Sequence, residues 1–394
     1  LTDASVIRRA ALLYGVQFAV LGIAAPFVPL WLNDRGLSTG AVGLVLAVPI
    51  VIRAASAYWV SGLADRRISA LRLLGALSAV HASLWAAAAG FDALWVAVLV
   101  VVAAAVTTGP AIPLADTVAI DAAAGGTGRF GRIRLWGSIG FLAAVLGGGL
   151  AIEALGARAV PPLMFAAASA VALIAATSSG LGAPSEVRRR RSAKTAQAPL
   201  SRPFLWAGAG IACIQGSHAV VNGFGAILWS GGGHDPSVIG ALIGTGVVAE
   251  ILLFSRYGRV GKGAPLFAPL LAGGLLAALR WALMATEPGL AATFALQALH
   301  AVSFGATLLG TMTAVADLVP ESERARAQGF VAGLTACVSA CATAIVGSSV
   351  ETLGAGVYGL MLPLALCGIA ALLIARRTAQ PQRAGDGGKT APPE

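Results

Sequence analysis

Long apolar stretches separated by short polar ones set the pattern of this chain. Nine runs carry no charge at all: residues 10–33, 73–91, 93–115, 135–152, 159–185, 203–234, 288–316, 327–350 and 352–375. About 20 helical residues cross the ~30 Å hydrocarbon core of a bilayer, so each run predicts a transmembrane helix. Three further stretches, 36–64, 236–255 and 263–286, match them except for one charge apiece, Arg53, Glu250 and Arg280. The pattern therefore predicts an all-α membrane protein of twelve spans. The first run is too long for a signal-peptide core and lacks a small-residue cleavage site after it, so it is read as span 1.

Composition agrees. Hydrophobic residues make up 57% of the 394 and charged ones 11%, against roughly 25% charged in a soluble domain. Four cysteines, Cys213, Cys337, Cys341 and Cys367, lie inside spans and are read as small packing residues. The four histidines show no metal-ligand spacing, and no metal or cofactor is expected.

The net charge of +10 acquires a meaning once the spans are drawn. With the N-terminus inside, 23 of the 27 Lys and Arg fall in cytoplasmic segments and only Arg35 and Arg158 fall outside. That asymmetry predicts a multi-pass protein of the bacterial inner membrane with both termini cytoplasmic. It makes the Arg188–Arg191 run a topology signal rather than a nucleic-acid patch. The expected organisation is a six-helix half over 1–182, a cytoplasmic linker over 183–202, a second six-helix half over 203–376 and a disordered tail over 377–394. The halves repeat weakly: Val42–Arg53 in span 2 and Ile239–Glu250 in span 8 align at an offset of 197. Two parallel six-helix repeats are the layout of major facilitator transporters.

An ionisable side chain deep in a span costs about 3 kcal/mol on insertion scales and is a functional candidate by default. Arg53, Glu250 and Arg280 qualify, and the last two, in neighbouring spans, can pair. A structural ion pair that only locks helices is the competing reading. Span 7 spaces Gln215, His218 and Asn222 along one helical face. Span 10 does so with Gln297, His300, Thr307 and Thr311, span 11 with Thr335, Ser339 and Thr343, and span 1 with Tyr14 and Gln17. Lipid cannot solvate such stripes, so they line a watery cavity or bind helix to helix. In the first case Arg53, Gln17, Gln215, His218, Asn222 and Gln297 are the expected substrate contacts. Asp116 and Asp121, near the end of span 4 and ahead of Arg132 and Arg134, form either an inner gate or interfacial salt bridges.

Ser61-Gly62-Leu63-Ala64-Asp65-Arg66-Arg67 resembles the signature loop of the major facilitator superfamily, with Asp65 at the acidic gating position and Ser61 where the loop has glycine. Gly131-Arg132-Ile133-Arg134-Leu135-Trp136-Gly137-Ser138 follows at span 5. Then come Gln215–Ala219, Gly246–Glu250, Arg280-Trp281 and Leu296–His300. This ordered set resembles the phenylpropionate-permease branch, which is similar to the lactose/proton symporter. The resemblance implies a monomeric symporter working by alternating access around a cavity between spans 1, 2, 7, 8, 10 and 11. It implies proton coupling at Glu250, Arg280 and His300, with Ser303 where the symporters carry a further acid. Protons, a small organic solute and the bilayer are the expected partners. An arginine and two histidines favour an organic anion, and the branch suggests an aromatic carboxylate. Uptake of a sugar or nucleoside, export of a hydrophobic compound, and a non-transporting receptor stay open. No nucleophile–base or metal constellation marks an enzyme.

Overall fold

The computed structural model describes residues 3–66, 68–123, 127–178, 200–260 and 265–386, with side chains omitted at 3–4, 61–66, 127–128, 257–260 and 380–386. The linker expected at 183–202 lies almost wholly outside this range. The first helices are α1 (Asp3–Asp34), α2 (Thr39–Arg66), α3 (Ala70–Gly90), α4 (Leu94–Ala122), α5 (Thr127–Leu155) and α6 (Val160–Thr177). There follow α7 (Arg202–Gly216), α8 (Ala219–Gly231), α9 (Pro236–Val260), α10 (Ala268–Met284) and α11 (Leu290–Ala298). A π-helical segment (Ala301–Ala306) leads into α12 (Thr307–Leu318), then α13 (Arg324–Leu353), a 3-10 segment (Gly354–Leu360) and α14 (Met361–Asp386). No strand occurs among the described residues.

The apolar runs become helices because only a helix satisfies every backbone N–H and C=O within one segment in lipid. Polar residues set several starts. Ser69 accepts from the Arg72 amide ahead of α3, and Ser201 accepts from the Phe204 amide ahead of α7, whose first turn also holds Pro203. The prolines of spans 1, 2 and 4 (Pro26 and Pro29, Pro49, Pro110 and Pro113) all lie within continuous helices.

Ten helical stretches of the described residues are long and apolar enough to cross a membrane, where twelve spans were expected. The difference is local. Helix α10 has 17 residues, about 26 Å at ~1.5 Å per residue, just short of a full crossing. The stretch Glu321–Ala379 has 59 residues, too many for one crossing, and contains α13 and most of α14. Span 7 is divided into α7 and α8, and span 10 into α11, the π segment and α12. Helix α14 also runs on to Asp386, into the stretch expected to be a disordered tail.

The chain forms two compact units. One comprises Leu1–Ala193, Val221–Val247 and Thr343–Gly354; the other comprises Lys194–Val220, Val248–Ala342 and Ala355–Glu394. In the first, α1 packs most extensively on α5, α2 on α4 and α3 on α6. Trp31, Phe27, Leu32 and Leu74 are fully enclosed there. In the second, α14 lies along α7 and α10, and α10 also packs on the π segment and α12.

Two matching helix contacts in the first unit are related by an offset one residue longer than that of the sequence repeat. The Thr39 amide and hydroxyl, at the start of α2, both donate to Glu351 Oε1 near the end of α13, at 3.2 Å each. The Ser237 amide, at the start of α9, donates to Glu153 Oε2 near the end of α5 at 3.3 Å. Thr39 and Ser237 are 198 residues apart, as are Glu153 and Glu351. Each carboxylate meets the positive end of a helix dipole. Glycines bring the same backbones together. A Cβ on Gly347 would lie 2.6 Å from the Gly43 Cα, and one on Gly149 would lie 2.6 Å from the Pro236 carbonyl oxygen. Only small residues allow that approach.

Candidate functional site

Both divided spans break where polar side chains gather, in the second unit. Between α7 and α8 the chain turns at Ser217 and His218. The Ser217 hydroxyl donates to the Ile214 carbonyl at 2.7 Å and accepts from Trp281 Nε1 at 2.9 Å. Opposite lies the π segment. Its Phe304 carbonyl, which accepts from the Thr307 amide, also accepts from Gln215 Nε2 at 3.3 Å. Irregular backbone at membrane depth persists only where side chains satisfy it, and π segments are frequent at functional sites.

His218 is fully buried at this junction. Its Nδ1 faces the Ile214 carbonyl at 3.0 Å, and its Nε2 faces Ser303 Oγ at 3.1 Å. A carbonyl only accepts, so Nδ1 carries the proton and Nε2 accepts from the serine hydroxyl. His300 takes the opposite tautomer. Its Nδ1 lies 3.3 Å from Arg280 Nη1, and a guanidinium only donates, so the His300 proton sits on Nε2. The two imidazoles stand 5.5 Å apart, edge to face. Phe304 stacks on His300 at 4.9 Å, and Trp281 meets His218 at 5.1 Å.

Arg280 lies at the centre, with none of its surface exposed. Nη2 donates to Gln297 Oε1, Nη1 donates to His300, and the guanidinium carbon lies 4.8 Å from the Trp281 ring centroid. Among the described residues no carboxylate oxygen pairs with it, and its Nε is buried without a partner. Glu250, half-buried on α9, packs instead against the π segment: its Cγ lies 3.1 Å from where a Cβ on Gly305 would be. The ionic contact expected between Glu250 and Arg280 is thus replaced, for Arg280, by neutral acceptors and an aromatic face.

The remaining expected residues lie elsewhere. Asn222 is exposed on α8, in the first unit, beyond the turn that interrupts the span-7 stripe. Arg53 is exposed on α2, and among the described residues no carboxylate pairs with it. Its carbonyl accepts from Ser56 Oγ at 3.2 Å, where Ser56 also bonds the Ala105 carbonyl of α4. Gln17 is buried and lines a cavity of about 10 Å³ with Ser78, His81, Thr107 and Thr108, room for one water. His81 Nδ1 bonds Thr107 Oγ1 at 2.8 Å, and its Nε2 accepts from Trp85 Nε1 at 3.0 Å, so both ring nitrogens are occupied.

Of the gating candidates, Asp116 accepts a 2.6 Å bond from the buried Tyr14 hydroxyl, and Arg134 acts electrostatically on both. Arg132 is exposed and Asp121 half-buried on their helices, while the Asp65 side chain lies outside the described residues. Sequence reasoning did not assign Ser303, Trp281 or Tyr358 to the site. Ser303 was legible only as a missing acid, and a lone Tyr inside the apolar run 352–375 carries no signal beyond that of an ordinary packing aromatic.

A helical bundle of this length, with broken spans converging on buried polar groups, defines a multi-pass membrane protein of the transporter class. Residues 7–353 match the model of the MFS_1 like family, and the chain belongs to that family within the major facilitator superfamily. It is 29% identical over 368 residues to a probable 3-phenylpropionic acid transporter of Escherichia coli (strain K12), covering 91% of this chain and 95% of that protein. It is 28% identical over 327 residues to the maltose permease of Geobacillus stearothermophilus, 79% of each chain. Among solved structures it resembles the nucleoside transporter NupG, with a TM-score of 0.74 at 14% identity over 94% of this chain and 98% of that one. It also resembles the POT family transporter PepTSo, with a TM-score of 0.72 at 12% identity over 96% and 98%. At these identities the two structures bear on the fold alone.

Proposed function

We propose that this chain is a proton-coupled secondary transporter that takes up a small organic anion, an aromatic carboxylate, across the bacterial inner membrane by alternating access. The observation that carries the reading is the buried cluster of His218, Arg280, Gln297 and His300 at two broken spans. So many polar and ionisable groups at membrane depth mark a solute or proton path. Arg280 supplies positive charge and the surrounding rings supply apolar faces, which together suit an aromatic acid. The printed description of the Escherichia coli relative supports the same solute class.

Glu250 is the proposed proton carrier. It packs on the π segment, and that segment continues directly from His300, the acceptor for Arg280. Protonation of Glu250 can therefore reach Arg280 through the shared segment, without direct contact, by favouring one arrangement of it. Arg53 and Gln17 are proposed as further solute contacts, with Asp65, Asp116, Asp121, Arg132 and Arg134 gating the cytoplasmic side. Both termini are placed in the cytoplasm, and the protein is proposed to act as a monomer.

The test is uptake of radiolabelled 3-phenylpropionate into proteoliposomes of the purified chain. Accumulation should follow an imposed inward proton gradient and collapse with a protonophore. Maltose and uridine should not compete. Competition by either, or uptake indifferent to the gradient, would refute the reading.

A further inference from the structure

Among the described residues no carboxylate supplies Arg280 with a counter-charge. Fully buried, Arg280 directs its two terminal nitrogens at neutral acceptors, Gln297 Oε1 and His300 Nδ1, and leaves Nε–H unmatched. A buried charge without an ionic partner is costly, and a protein retains one where something else supplies the opposite charge. A second unmatched group lies close by. The Tyr358 hydroxyl, on the 3-10 segment Gly354–Leu360, is also buried without a hydrogen-bond partner. Tyr358 and Arg280 are within electrostatic reach of each other, and the Tyr358 ring stacks parallel to Trp281 at 6.2 Å. A lone unmatched buried donor is uncommon; here two, one of them charged, both pack on the Trp281 ring.

We infer that Arg280 and Tyr358 form the receptor for the carboxylate group of the transported solute. The inference rests on the anion reading above and adds which atoms bind the anion. A carboxylate has two oxygens in one plane. One accepts from Arg280 Nε–H and the other from a second guanidinium N–H, the side-on bidentate geometry that an ammonium cannot offer. The Tyr358 O–H then donates to a remaining lone pair. Gln297 and His300 keep the guanidinium in place as positioning residues, and Trp281 presents the aromatic face next to it. Chemically the receptor selects a monocarboxylate with an attached ring, and it rejects the corresponding amide, which lacks the charge. Arg280 is sealed in this structure, so entry requires the walls to move. The two neighbouring segments that depart from α-helix, the π segment and Gly354–Leu360, are the walls assigned to that movement.

The test uses the full-length chain in detergent, with binding of 3-phenylpropionate and of 3-phenylpropanamide followed by thermal shift and by calorimetry. Wild type should bind the acid and not the amide. Tyr358→Phe is the informative variant, because it removes a hydroxyl that has no partner in the unliganded protein. Its unliganded melting temperature should equal or exceed that of wild type, while its affinity for the acid falls about 10- to 100-fold. Arg280→Lys keeps the charge but loses the bidentate fork and should weaken the acid by at least as much. Should Arg280→Lys fail to fold, Tyr358→Phe decides alone. If wild type binds the acid and Tyr358→Phe binds it equally well, or is destabilised when unliganded, the receptor assignment is wrong and the transport reading survives. If wild type binds no carboxylate but carries a neutral solute, the anion reading and the receptor fall together.

Discussion

Removing the Glu351 carboxylate should loosen the start of α2 and leave the start of α9 untouched. Glu351 Oε1 holds the Thr39 amide and the Thr39 hydroxyl at 3.2 Å. An anion accepting two bonds at a helix N-terminus gains from the dipole and from charge assistance, up to ~2 kcal/mol in sheltered geometry. Thr39 is buried but Glu351 is exposed, so screening reduces the value to about 1 kcal/mol. That corresponds to roughly a fivefold rise in local opening. Glu153 makes a single bond of 3.3 Å to Ser237, an exposed contact, and should be worth about half as much, a twofold effect. Hydrogen exchange read by mass spectrometry on peptides covering residues 39–48 and 237–246 measures both. Glu351→Ala should speed exchange in the first peptide only, and Glu153→Ala, more weakly, in the second only. Glu351→Gln, which keeps an acceptor but no charge, should fall between wild type and alanine. Unchanged protection in Glu351→Ala, or an effect that crosses to the other peptide, would refute the view that the repeat builds two separate carboxylate clamps.

Glu250→Gln should still exchange labelled solute across the membrane while losing accumulation against a gradient, and normal proton-driven accumulation would remove Glu250 as the proton carrier. Tyr14→Phe removes a 2.6 Å bond to a partly buried carboxylate and should cost ~1.5–3 kcal/mol; in a double-mutant cycle with Asp116→Asn the coupling should exceed about 1 kcal/mol, and simple additivity would show that the pair does not act as a unit. A phosphatase that works only in the periplasm, fused after Ser192, should stay inactive, and strong activity there would reverse the proposed orientation.

The hydrophobic pattern alone determined that this chain is a helical membrane protein; the motifs at Ser61–Arg67 and after added the resemblance to the major facilitator type. The reason is physical: lipid leaves a backbone no choice but to bond to itself, so an apolar run of 20 residues is already a statement about structure. Charge asymmetry and the weak repeat were legible for the same reason, being properties of order along the chain. The sequence also singled out Arg280, His218, His300 and Gln297, because polar atoms in apolar runs are conspicuous. Their partners were not legible. Spacing placed Gln215, His218 and Asn222 on one face by assuming an unbroken helix, and the chain instead turns at Ser217 and His218. Opposite charges in neighbouring spans suggested Glu250 with Arg280. The packing of α10 against the π segment instead gave Arg280 the acceptors Gln297 and His300, and set Glu250 against Gly305. Tyr358, 78 residues from Arg280 in sequence, reaches it only because α14 lies along α10. Which groups are buried without partners is decided by how helices pack, since a donor's satisfaction depends on neighbours that no local pattern encodes.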